Sequence, residues 1–137
     1  MLDAFSQLNW IAVAIATVAS IVVAGVYFGV VVAKPYLRVL GRDGDDRPEP
    51  TAVAAVGPLV CVFVTVLTSA VLVAALDLDT AGDALVFGLL VGIGYLVSMT
   101  FQIAINPNFP HPIRYGLLNA PFFVITSVLS SLLLVLV

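Results

Sequence analysis

The chain has 137 residues, of which 62% are hydrophobic and 9% charged, with a formal charge of −3. Soluble domains carry about 25% charged residues, so a soluble fold would have too little polar surface to cover this much apolar side chain. The few charges are mostly acidic and form no basic face, which excludes nucleic acid as a partner.

Every charged residue falls outside four apolar runs, roughly Trp10–Ala33, Thr51–Leu76, Ala84–Ile105 and Tyr115–Val137. A helix of about 20 apolar residues crosses a hydrocarbon core of about 30 Å. The predicted fold is therefore all-α, a single integral membrane domain of four transmembrane helices packed as a four-helix bundle, with the lipid bilayer as its first partner. Residues 1–9 contain Asp3 and no Lys or Arg, so the first run is expected to be a retained signal anchor rather than a cleaved leader.

Lys34, Arg38, Arg42 and Arg47 follow the first run, and Arg114 precedes the fourth. The intervening loop carries only Asp77, Asp79 and Asp83. Basic residues collect on the cytoplasmic side, which predicts a cytoplasmic loop at 34–50 and both termini outside. A reporter fused after Val137 is then active only on the extracytoplasmic side.

Taken in chain order, Pro35 disfavours helix at Lys34, so the first span is expected to end or kink there. The loop LDLDTAGD is short enough to make spans two and three a helical hairpin, with Asp79 or Thr80 capping the third helix. Prolines at 107, 110 and 112 predict an extended, non-helical third loop. Pro58 and Pro121 fall inside spans two and four and free the carbonyls of Ala54 and Leu117.

At 100° per residue each span shows one small and polar stripe. The stripes are Asn9, Ala16, Ser20, Ala24 and Tyr27; Pro58, Cys61, Thr65, Thr68 and Ser69; Gly88, Tyr95, Met99, Gln102 and Asn106; and Asn119, Thr126, Ser127 and Ser130. Small and hydroxyl residues let membrane helices approach closely, so the stripes are expected to face inward. Gly25–Gly29 and Gly88–Gly92 both give GxxxG spacing. Gly88 lies on its stripe and is expected to pack inside. Gly25 lies off its stripe, which suggests a homo-oligomer contact or a membrane-protein partner.

The strongest polar groups, Tyr27, Gln102, Asn106 and Asn119, fall toward the cytoplasmic level. They either tie helices together or line a small cavity for a polar headgroup or solute. No Asp, Glu, Lys, Arg or His lies within a span, which argues against proton relays and ion-coupled transport. No carboxylate pair, nucleophile–base set or metal-ligand cluster is present, so no catalytic, cofactor or metal residues are assigned. Cys61 stands alone within an apolar run and His111 alone in a loop; neither builds a metal site. The expected protein is a non-enzymatic structural or accessory component. The alternative is a small transporter or channel-like protein for a neutral or amphiphilic solute.

Asn9–Trp10 opening the first span, Tyr27–Phe28 late in it, Lys34–Tyr36 after it, a glycine-rich third span and Leu118–Asn119 opening the fourth form a recognisable series. With these residues the chain resembles the small bacterial four-helix membrane proteins of domain of unknown function 1761. That resemblance implies this fold and a bacterial inner membrane, and no activity.

Overall fold

The computed structural model describes residues 3–42, 49 and 51–137; Arg47 and most of the segment 41–50 lie outside the described residues. Four helical stretches are long and apolar enough to span a membrane: Trp10–Val31, Ala52–Ala75, Ala81–Ala104 and Pro112–Leu136. A 3-10 turn, Asp3–Gln7, precedes them. The first span is helix α1, Trp10–Val26, continued by a π-turn, Tyr27–Val31, and followed by a short helix α2, Ala33–Val39. The second span is α3, Ala52–Ala75. The third is composite: α4, Ala81–Leu89, a π-helical stretch Leu90–Val97, and α5, Ser98–Ala104. The fourth is α6, Pro112–Leu136.

Side-chain caps set the helix starts. Asn9 Oδ1 accepts from the amides of Ile11 and Ala12 at 3.1 and 3.2 Å and starts α1. Thr51 Oγ1 accepts from Ala54 N at 3.2 Å and starts α3. Thr80, rather than Asp79, caps α4: its hydroxyl accepts from Asp83 N at 3.1 Å and donates to Asp83 Oδ2 at 2.6 Å. Pro112 occupies the first turn of α6, where a missing N–H costs nothing, so the fourth span begins before Tyr115 and the third loop loses its last proline to the helix.

The first span breaks at Val32 (φ −115°, ψ 12°), two residues before the position the sequence suggested. Val32 N donates to Tyr27 O at 2.9 Å, closing the π-turn. Lys34 is helical after all, because Pro35 falls in the first turn of α2, where its amide is not required. α2 is closed off by Gly41, two residues past its last helical residue, whose φ of +73° suits glycine; the amides of Gly41 and Arg42 donate to the carbonyls of Arg38 and Leu37.

α6 is the hub. It packs against α1, α2, α3 and all three parts of the third span. α3 packs on α1, α6 and the 3-10 turn. The short loop at 77–80 links spans two and three, but their packing is not that of a close hairpin: the third span rests on α6. At the end carrying Asp3, Asp77, Asp79 and Asp83, Leu8, Val13, Ala16, Val66 and Ala70 form one apolar core, with Leu133 and Leu134 against it. Toward the other end α3 diverges, and its residues from 52 to 61 are exposed apart from a half-buried Gly57.

The α6 stripe matches the 100° reading, the α1 stripe matches in its middle, with Asn9 exposed and Ala24 and Tyr27 half-buried, and the other two do not match. Asn119, Thr126, Ser127 and Ser130 of α6 are all buried, as are Ala16 and Ser20 of α1. In α3 only Ser69 of the expected stripe is buried. Pro58, Cys61 and Thr68 are exposed, and Val66, Ala70 and Val73 are buried beside Ser69 instead. Thr65 and Thr68 donate to carbonyls four residues back, at 2.9 and 2.8 Å, so neither needs a neighbouring helix.

In the third span Gly88 is buried, but Tyr95, Met99 and Gln102 are exposed. The cause is the π-helical stretch. Ala84 and Ala104 are both 0% exposed, yet 20 residues at 100° would leave them about 200° apart. Hydrogen bonding to the fifth residue back widens each turn and advances each residue by less than 100°. The rotation lost over Leu90–Val97 keeps both ends of the span on α6 and carries Tyr95, Met99 and Gln102 outward. Ser98 Oγ follows the wider turn, donating to Ile93 O five residues back at 3.0 Å.

Candidate functional site

An aromatic layer closes the basic end of the bundle. Tyr27 meets Phe28 and Phe122 with ring centroids 5.2 and 5.9 Å apart. Phe28 meets Tyr36 at 5.2 Å and Phe122 at 4.9 Å. Tyr36 reaches Tyr115 at 6.0 Å, and Tyr115 reaches Phe109 at 5.0 Å. The rings join the end of the first span, α2, the third loop and α6. Each such pair contributes roughly 0.5–1.5 kcal/mol beyond the area it buries. Burial, with the Tyr115 phenol beside it, raises the Tyr36 phenol well above its ordinary value near 10 and keeps it neutral.

The four polar residues singled out by sequence take different places. Tyr27 Oη donates to Leu118 O at 2.8 Å, a bond from the first span to the fourth. Its acceptor is the neighbour of Leu117, the carbonyl that Pro121 leaves without an amide. Asn119 is buried one residue on, and its Nδ2 donates to Tyr115 O at 2.7 Å within α6 itself. Asn106 works locally: Nδ2 donates to Ile103 O, and Oδ1 accepts from Asn108 N at 2.8 Å, an Asx turn that ends α5. Gln102 is exposed. The structure thus brings Tyr27 to the backbone beside Asn119 and leaves Asn106 in the loop and Gln102 on the outer surface.

The two GxxxG pairs also part. A Cβ on Gly88 would sit 2.7 Å from Val128 Cα and 3.0 Å from Ser127 O; one on Gly92 would sit 3.2 Å from Val124 Cα and from Ser127 Cβ. Ser127 Oγ donates to Gly88 O at 2.7 Å across this crossing. Gly25 and Gly29 are exposed, with nothing among the described residues within 4 Å of an added Cβ.

The residues behind the family resemblance hold these features: Asn9 caps α1, Tyr27, Phe28 and Tyr36 build the aromatic layer, and Leu118 and Asn119 receive it. The sequence model of the family described as Protein of unknown function (DUF1761) matches residues 11–135. The chain belongs to this family. No curated protein and no solved structure matches it.

The DUF1761 chain also holds a cleft where α3 diverges from α6. It has a volume of about 100 Å³, and Ser20, Cys61, Thr65, Thr126, Ser127 and Ser130 contribute to its walls. The hydroxyls of Thr65, Thr126, Ser127 and Ser130 all donate to backbone carbonyls, leaving lone pairs as acceptors. Ser20 is 2% exposed, and its Oγ is the buried side-chain oxygen without a partner among the described residues. Sequence placed Ser20, Cys61 and Thr65 on inward stripes but gave no sign that α3 leaves a gap, because divergence depends on how the helices cross.

Gly116 is a further feature that sequence reading passed over. A Cβ there would fall 2.4–2.6 Å from the Phe101 ring, so the start of α6 seats α5 through a glycine. No pattern around Tyr115–Leu118 marks it.

Proposed function

We propose that this DUF1761 protein is a non-enzymatic structural or accessory component of a bacterial inner membrane, with both termini extracytoplasmic. The carrying observation is where its polar groups donate. Tyr27, Asn119, Thr126, Ser127, Ser130 and Ser131 all donate to backbone carbonyls of the bundle. Tyr27 and Ser127 thereby tie the fourth span to the first and the third, while the other four donate within α6 itself. The orientation rests on Lys34, Arg38, Arg42 and Arg114, which share one end of the bundle, opposite Asp77, Asp79 and Asp83.

A second reading, a carrier for a small neutral or amphiphilic solute, is favoured by the Ser20 cleft alone. Thermal or denaturant unfolding in detergent separates the two. Tyr27→Phe is expected to lower stability by about 0.6 kcal/mol, and at most about 2. Ser20→Ala is expected to raise it by about 1 kcal/mol, since it removes a buried hydroxyl that has no partner among the described residues. A Tyr27→Phe variant as stable as the parent contradicts the structural reading. A Ser20→Ala variant that is less stable means the hydroxyl is paired with a bound molecule and favours the carrier.

A further inference from the structure

Arg38 and Arg114 converge on one groove. It lies between the end of α2 and the first turns of α6, has a volume of about 440 Å³, and is lined by Pro35, Arg38, Val39, Arg114, Leu117 and Leu118. Orientation in the membrane explains why both arginines lie on one side. It does not require them to meet, since a positive-inside bias acts through the number of charges in a loop and not through their positions.

The meeting is built into the fold. The π-turn and the break at Val32 turn α2 back over the start of α6. Tyr36 and Tyr115, from the same two helices, bring their rings to 6.0 Å of each other. At the far end of α2, the position of a Cβ on Gly41 is 3.1 Å from Pro110, so α2 also rests on the third loop. The groove therefore sits on a packed platform.

Its chemistry has two parts. Two exposed guanidiniums carry a permanent charge on planar, multiply donating groups, the geometry that suits phosphate oxygens. Between them Pro35, Leu117 and Leu118 give an apolar surface. α6 also begins at this groove and adds the positive end of its dipole. Arg114 is the third residue of a membrane span, and α2 follows directly on another, which places the groove at headgroup depth. A soluble anion would use the guanidiniums but gain nothing from the apolar surface. A lipid uses both.

We infer that this groove binds an anionic phospholipid, its phosphodiester held between Arg38 and Arg114 and the start of its acyl chains laid over Leu117 and Leu118. Basic pockets between spans on the cytoplasmic side recognise such headgroups.

The test is native mass spectrometry of the full chain, delipidated in detergent and titrated with phosphatidylglycerol or phosphatidylcholine. The parent is expected to bind phosphatidylglycerol about 30-fold more tightly, equivalent to about 2 kcal/mol for two basic groups. The double variant Arg38→Gln, Arg114→Gln should lose that preference while melting at the parent's temperature in phosphatidylcholine. The double variant Lys34→Gln, Arg42→Gln, with the same change in net charge, should keep it. Glycerophosphate without acyl chains should not compete at millimolar concentration. Equal binding of the two lipids by the parent, or equal loss of preference in both double variants, overturns the site. Full competition by glycerophosphate overturns the lipid as its occupant.

Discussion

Gly88→Ile is expected to force the third span away from α6 and to lower the unfolding free energy by about 3 kcal/mol, the upper end of what overpacking costs. The Cβ alone would stand 2.7 Å from Val128 Cα and 3.0 Å from Ser127 O. Both obstacles are backbone, so no rotamer change relieves the clash. The same displacement breaks the 2.7 Å bond from Ser127 Oγ to Gly88 O and leaves a buried hydroxyl without its acceptor. Gly25→Ile has the opposite expectation. Nothing among the described residues lies within 4 Å of its Cβ, so the folded monomer should change by no more than about 0.5 kcal/mol. Reversible unfolding in mixed micelles measures both. Size-exclusion of Gly25→Ile, Gly29→Ile asks separately whether that pair holds two copies together: a smaller particle than the parent supports the contact, and an unchanged one removes it.

The second large effect is expected at Gly116. Any side chain there meets the Phe101 ring at 2.4–2.6 Å. Gly116→Val should cost about 1–3 kcal/mol, because the ring must leave the seat that positions α5 against the start of α6. Here the obstacle is a side chain, so it can be removed. Phe101→Ala on its own should destabilise by losing packed ring, yet in the Gly116→Val background it should cost little or restore stability. The expected coupling is about 1–3 kcal/mol, the range for residues in direct contact. Additive effects in that cycle would mean the ring already has room to move.

Sequence showed the four spans because exclusion of charge from membrane-length runs is a property of composition, and the four helical stretches of the structure coincide with those runs. The inward stripe of α6 was equally legible, since α6 is regular and surrounded: Asn119, Thr126, Ser127 and Ser130 keep the 100° spacing and are all buried. The third span was misread beyond Gly92 because the 100° rule assumes uniform turns, and Leu90–Val97 does not obey it. The only local sign was the pair of glycines at 92 and 94. Stripe composition also misled in α3, where Thr65 and Thr68 satisfy themselves on their own helix and need no inward place. The difference between Gly25 and Gly88 could not be read from spacing at all. Identical GxxxG patterns become a contact or a bare surface depending on which helix lies opposite. Tyr27 was legible as a polar group with a task, but its acceptor, Leu118 O, depends on which turn of α6 lies opposite.

The central claim is that the widened turns of the third span, which begin just after Gly88, keep Gly92 and Ala104 against α6 and carry Tyr95 outward. Disulfide trapping in membranes tests it most directly. In a Cys61→Ser background, Gly92→Cys is paired with Ser127→Cys, where the Cβ positions lie 3.2 Å apart and need move by only a few tenths of an ångström to reach the usual disulfide spacing of about 3.8 Å. Tyr95→Cys with Ser127→Cys serves as the comparison, since a uniform α-helix would place Tyr95 on the inward stripe. The expected result is rapid intrachain cross-linking of the 92–127 pair and none of the 95–127 pair. Cross-linking at 95–127 with none at 92–127 would contradict the claim.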